Sequence, residues 1–150
     1  MSRLPTAVAL CAALLMSACG TAEYDWNKAM AANTLAAYQT FVKRHPDDKR
    51  ADDARGRILG LQDDRAWALA QATHTIAAYR GYLQTESGGI HAPDAQYEIT
   101  ALQRAAAWKA IQSDESKASL QAFLQKYPKG LESNEARQKL SALDGTRRPS

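Results

Sequence analysis

The sequence predicts an all-α protein: a tandem array of three 41-residue helical units behind a short apolar leader. Three observations carry that reading. Slid along itself by one unit, the chain aligns without a gap, and Trp26, Trp67 and Trp108 fall into one column. Within each unit the apolar positions recur at i, i+3, i+4 and i+7, and no run alternates with a period of two. Alanine is abundant, which favours helix. At 150 residues the natural prior is one domain. The 19 basic and 16 acidic side chains leave a formal charge of +3, and the basic residues are dispersed, so nucleic acid is not an expected partner.

The leader comes first. Residues 1–18 read MSRLPTAVALCAALLMSA, with Arg3 as a short positive region and an apolar run of Ala7–Met16. This is the layout of a bacterial secretion signal. The run is too short to cross a hydrocarbon core of about 30 Å as a helix. Ser17, Ala18 and Cys19 close it. The stretch LMSAC, Leu15 to Cys19, resembles the lipobox of bacterial lipoproteins. That resemblance implies a diacylglycerol on the Cys19 thiol, cleavage before Cys19 and an acyl chain on the new amine, with no other cofactor. Gly20 follows where an Asp would retain such a protein at the inner membrane. The implied location is therefore the periplasmic face of the outer membrane, with residues 19–23 as a short tether. An ordinary secreted protein cut near Ala18, with Cys19 free, is the alternative. Cleavage removes Cys11 and, among charged residues, only Arg3, taking the formal charge from +3 to +2.

The three units follow, over 24–64, 65–105 and 106–146. After the tryptophans come Ala29, Ala70 and Ile111, then the polar column Thr34, Thr75 and Ser116. Ala36, Ala77 and Ala118 are identical. Tyr38, Tyr79 and Leu120 come next, then Phe41, Tyr82 and Phe123. Ala54, Ala95 and Ala136 form one column and Ile58, Ile99 and Leu140 another. Leu61, Leu102 and Leu143 close the units. A fixed period of this length is the signature of stacked repeats, none of which can bury its apolar stripe alone. The tryptophan, tyrosine/leucine, phenylalanine/tyrosine and isoleucine/leucine columns are therefore expected to be repeat core.

In the second unit the spacing predicts a helix over Thr75–Thr85, another over Asp94–Leu102 and a helical piece around each tryptophan. Asp64 and Asp114 are candidate helix caps. Turn signals sit at His45-Pro46-Asp47-Asp48, Ser87-Gly88-Gly89 and Tyr127-Pro128-Lys129-Gly130. The stretch Ala54–Leu61 either runs on through Trp67 to Ala72 or breaks at Gln62-Asp63-Asp64; both readings stay open. Residues 147–150 are expected to be a disordered tail.

Tyr79-x-x-Tyr82-Leu83, Ser116-x-x-x-Leu120-x-x-Phe123-Leu124-x-x-Tyr127-Pro128-x-Gly130 and the echo from Ala37 to Pro46 resemble tetratricopeptide-type repeats. Similar segments occur in periplasmic tetratricopeptide proteins, such as outer-membrane assembly lipoproteins and the TolA-binding cell-division coordinator. The resemblance implies a helical solenoid that binds proteins and carries no catalytic residues.

An enzyme lacks its parts. His45, His74 and His91 form no metal-binding spacing and are expected to face solvent. No nucleophile elbow or phosphate-binding loop is present. The pairs Asp47-Asp48, Asp52-Asp53 and Asp63-Asp64 are expected in turns or at helix starts, without the alternating ligands of a calcium loop. The sequence thus predicts no metal and no catalytic site. It predicts a lipid-anchored periplasmic scaffold that contacts envelope proteins in an assembly, secretion or division complex. Two alternatives stay open: a ligand-binding module for peptidoglycan or a small peptide, and a purely structural subunit of an envelope complex.

Overall fold

The computed structural model describes residues 21–114 and 116–145, and these are helical throughout apart from short turns. Cys19 and the leader lie outside the described residues, as do residues 147–150. In chain order the helices are α1 (21–32), α2 (Leu35–Arg44), α3 (Ala51–Thr73), α4 (Ile76–Thr85), α5 (Ala92–Ile111), α6 (Lys117–Lys126) and α7 (Leu131–Gly145). No strand occurs among the described residues. The chain forms two compact units, Met1–Arg65 and Ala66–Ser150, and α3 contributes residues to each.

Local signals set the three short helices. Thr34, Thr75 and Ser116 each sit just before one in extended backbone, and each side chain accepts a hydrogen bond from the N–H three residues on: Ala37, Ala78 and Ser119. Each bond satisfies one of the N–H groups that a helix start leaves without an internal partner. Asp114 is not the cap of α6; its carboxylate accepts from the Ser119 hydroxyl at 3.0 Å, beside the cap. At the other ends the N–H groups of His45, Glu86 and Tyr127 donate to Phe41, Tyr82 and Phe123 carbonyls, each at 2.8 Å.

The long helices settle the open reading. α3 runs unbroken through Gln62-Asp63-Asp64, and α5 is continuous from Ala92 through Trp108. Asp64 therefore caps nothing. Asp63 is buried in mid-helix, not placed at a helix start. No proline interrupts Ala51–Thr73, and its two glycines, Gly56 and Gly60, have open space around them. Pro93 is tolerated because it stands in the first turn of α5, where an N–H has no helical partner anyway.

In the first unit, Ala29, Tyr38, Phe41 and Ala54 are buried together, with Trp26, Ala37, Val42, Ile58 and Leu61 half-buried around them. In the second unit α4 packs on α5 and α6 on α7, and α5 also touches α6 and α7. One cluster there is Ala70, Tyr79, Tyr82, Ala95 and Ile99, with Trp67, Leu83 and Leu102 against it. The other is Trp108, Leu120, Phe123, Tyr127 and Ala136, with Ile111, Leu124 and Leu140 against it. α5 serves both, the first through Ala95 and Ile99 and the second through Trp108. Leu143 is 39% exposed and stays outside its cluster.

The turns carry the strain. Asn33 (φ 45°) and His74 (φ 47°) adopt left-handed backbone. Each caps a buried phenol: the Tyr38 hydroxyl donates to Asn33 Oδ1 at 3.1 Å, and His74 Nδ1 meets the Tyr79 hydroxyl at 2.8 Å. A buried phenol needs such a partner. Gly130 has φ 126°, and a Cβ there would collide with the Arg104 guanidinium. That guanidinium instead bonds Glu132 at 2.5 Å, tying α5 to the first turn of α7. Burial pushes the Glu132 carboxyl up, but the Arg104 bond, a backbone N–H bond and the Arg104 charge together outweigh it and leave the group below its ordinary range.

Two outcomes follow for stability, both read by urea denaturation. Gly130→Ala should destabilise by about 1–3 kcal/mol, since it meets left-handed strain and the Arg104 clash together. Phe41→Ala, in a fully buried position, should cost about 3–5 kcal/mol, and Trp67→Ala, half-buried, should cost less. A Trp67→Ala loss equal to that of Phe41→Ala would show that the indole is core in full.

Candidate functional site

The aromatic columns settle in different ways. Trp26 lies 5.2 Å from Phe41 and 6.1 Å from Tyr38, and the Arg57 guanidinium stands 5.9 Å above its ring. Trp67 lies 5.6 Å from both Tyr79 and Tyr82. Trp108 lies 5.2 Å from Phe123, with the Lys139 ammonium 5.9 Å from its ring. Trp108 is buried, whereas Trp26 and Trp67 are half-buried. Tyr38, Tyr79 and Leu120 are buried, as are Phe41, Tyr82, Phe123 and Ile99, and Ile58 and Leu140 are half-buried. These side chains fill the clusters.

Arg57, Glu98 and Lys139 share one column of the repeat. The outer two put a cation over a tryptophan, a favourable arrangement for an electron-rich ring. The middle one is an acid, and there His91 stacks on Trp67, 5.2 Å away and 10° from parallel. Burial raises the Tyr79 phenol above its ordinary pKa, and the Glu98 charge adds to the shift.

The expectation that all three histidines face solvent is therefore corrected. His74 is exposed but bonded to Tyr79, His91 is stacked, and the His45 side chain is only 16% exposed. His45 packs 5.2 Å from Phe41 and donates from Nε2 to Asp25 at 2.9 Å. Arg44 adds a second, longer bond to the same carboxylate oxygen at 3.4 Å. The His45 bond, helped by Arg44 and opposed by burial, holds the Asp25 carboxyl below the usual carboxylate range. Nearby, Arg50 grips Asp48 through Nε at 2.7 Å and through its own N–H at 2.9 Å, which lowers the Asp48 pKa strongly.

The Asp25–Arg44 end opens into a groove of about 320 Å³ between α1 and α2. Its floor is Ala29 and Phe41, both buried. Its walls are the methyl groups of Ala32, Ala36 and Ala37, and its rim is Lys28, Thr40 and Arg44. Asp25 is already neutralised, and Lys28 forms no ion pair among the described residues, so the rim carries net positive charge. Small walls allow another backbone to approach closely, and the cations suit a carboxylate on whatever enters. A second groove, of about 390 Å³ in the second unit, has Leu83 and Ile99 beneath Arg80, Gln84, Gln96 and Gln103. It offers amides and one guanidinium, the chemistry of hydrogen bonding to a peptide backbone or a sugar.

Sequence reasoning missed Asp25, Lys28 and Arg44. Asp25 and His45 are distant in the chain, and the column of Asp25 continues with Ala66 and Ala107, so no shared residue type marks it. No protein-family model, curated protein or solved structure matches the chain. Among the described residues no helix is long and apolar enough to cross a membrane.

The Asp25 bond has a pH signature. A carboxyl lowered on folding stabilises the fold fully above its unfolded pKa, near 3.8, and that contribution disappears as pH falls through the lower folded value. Asp25→Asn should therefore lower the urea midpoint at pH 7, and the gap to wild type should be smaller at about pH 2. An equal gap at both pH values would mean that the carboxylate charge contributes nothing.

Proposed function

We propose that the protein is a non-enzymatic, lipid-anchored scaffold of the periplasmic face of the outer membrane that contacts envelope proteins. The observation that carries this reading is the α1–α2 groove: an alanine-walled trough with a buried floor and cationic rim, shaped for a helix or extended segment. The chain is read as three 41-residue, tetratricopeptide-like units. The three clusters support that reading, because their members recur at the repeat spacing: Tyr38, Tyr79 and Leu120, or Ala54, Ala95 and Ala136. The caps Thr34, Thr75 and Ser116 keep the same spacing. The anchor rests on Ser17-Ala18-Cys19 after the apolar run. Acyl chains there hold the protein through about 0.8 kcal/mol for each buried methylene.

A second reading, a module for peptidoglycan or a small peptide, is favoured by the amide-lined groove of the second unit. Position-specific cross-linking in cells separates the two. A photo-reactive residue at Ala36 should trap a discrete envelope protein, and one at Gln84 should not. Ala36→Trp should fill the first groove and remove the cross-link from a neighbouring reactive position, Thr40, with an unchanged melting temperature. Trapping only at Gln84 would transfer the function to the second groove. Cys19→Ser should move the protein from the membrane fraction to the soluble one.

A further inference from the structure

We propose that one end of the first unit, made by the start of α1 and the α2–α3 turn, lies against the phospholipid headgroup layer, with Tyr24 as its interfacial side chain. The inference rests on the reading of Cys19 as the acylated residue, and it adds which face meets the membrane and through which groups.

Covalent geometry gives the first bound. Cys19 precedes Thr21, the first described residue, by two positions. Consecutive Cα atoms are about 3.8 Å apart, so two peptide units reach no farther than about 7.6 Å from the first turn of α1. A tether that short holds the helix start against the surface in which its acyl chains are embedded.

The second observation brings another segment to the same end. Asp25, in the first turns of α1, accepts from His45 and Arg44 at the end of α2. The α2–α3 turn therefore lies beside the anchor. It is held compact there, because the Asp48 N–H donates to the His45 carbonyl and the Ala51 N–H to the Asp48 carbonyl.

The third is what this end displays. Tyr24 is 68% exposed while its neighbours Ala22 and Ala29 are buried, so the ring stands away from the protein. A tyrosine ring with an apolar body and a polar tip favours the membrane–water boundary. Lys49 is exposed in the turn and forms no ion pair among the described residues, which leaves its ammonium for phosphate oxygens. Apart from Lys28, which belongs to the groove rim, charge is otherwise balanced, since Arg44 neutralises Asp25 and Arg50 neutralises Asp48. Glu23 and Asp47 offset Lys43 and Lys49. A balanced face sets orientation and gives no preference for anionic lipid, unlike a polybasic patch.

The test uses the full acylated chain in vesicles of phosphatidylethanolamine with phosphatidylglycerol. Cleavage removes Cys11, so single labels can be placed through Asp47→Cys and Ala32→Cys. Ala32 lies eight residues beyond Tyr24 along α1, about 12 Å farther from the anchor. A headgroup-attached quencher should quench the Asp47 label several-fold more than the Ala32 label. Tyr24→Ser should bring the two closer, and raising the phosphatidylglycerol fraction should change neither. Equal quenching at both labels, in a chain whose intact mass shows acylated Cys19, overturns the inference and leaves the anchor standing. An intact mass showing unmodified Cys19 overturns the anchor and the inference together. An unchanged Asp47 signal in Tyr24→Ser removes Tyr24 from the contact and overturns the proposal as stated.

Discussion

Close approach of helices at an alanine is the constraint on which the rest depends. Ala54, Ala95 and Ala136 are each fully buried, and each faces the aromatic or leucine side chains of the preceding short helix. Each methyl group is wholly covered by its neighbours. Closeness lets Tyr38, Tyr79 or Leu120 reach across and fill the space beneath the tryptophan. A side chain much larger than a methyl at the alanine would part the helices and undo the fit of every neighbour, since packed interiors leave little slack. The polar turn residues are consequences of the same closeness, because the tyrosine hydroxyls end where the incoming turn must supply a partner.

How much of this could be read in advance depended on what kind of interaction was involved. The helical class and the members of the clusters follow from apolar spacing, a property each segment displays by itself. The caps Thr34, Thr75 and Ser116 are likewise local, a side chain reaching the N–H three residues on. What escaped reading is long-range or conformational. Asn33 and His74 share one column and are residue types that accept left-handed backbone, yet that acceptance alone does not fix the conformation, which arises where one helix ends and the next starts within two residues. Asp25 with His45, and Arg104 with Glu132, join positions 20 and 28 apart. The pair Asp63-Asp64 looked like a helix boundary because acidic residues favour helix starts. The structure continues through them, and Asp63 is buried in α3.

The candidate groove illustrates the same division. Of its alanines, Ala29 and Ala36 stood in repeat columns, and neither column pointed to a groove. Ala36 proves exposed, and the character of the trough comes from Lys28 and Arg44. Lys28 belongs to the first copy alone, since its column continues with Leu69 and Ala110, whereas the column of Arg44 continues with Thr85 and Lys126. Specificity in a repeated architecture sits where one copy departs from the others, which is the information that a period discards.

The sharing of α5 between two clusters has a consequence for how the second unit comes apart. α5 is 20 residues long, about 30 Å, and its first half packs with α4 while Trp108 and Ile111 pack with α6 and α7. Neither hairpin can open fully without stripping one side of a helix that the other still needs. The two clusters are thereby coupled into one opening unit, and amide hydrogens midway along α5 should be the last of that unit to exchange with solvent.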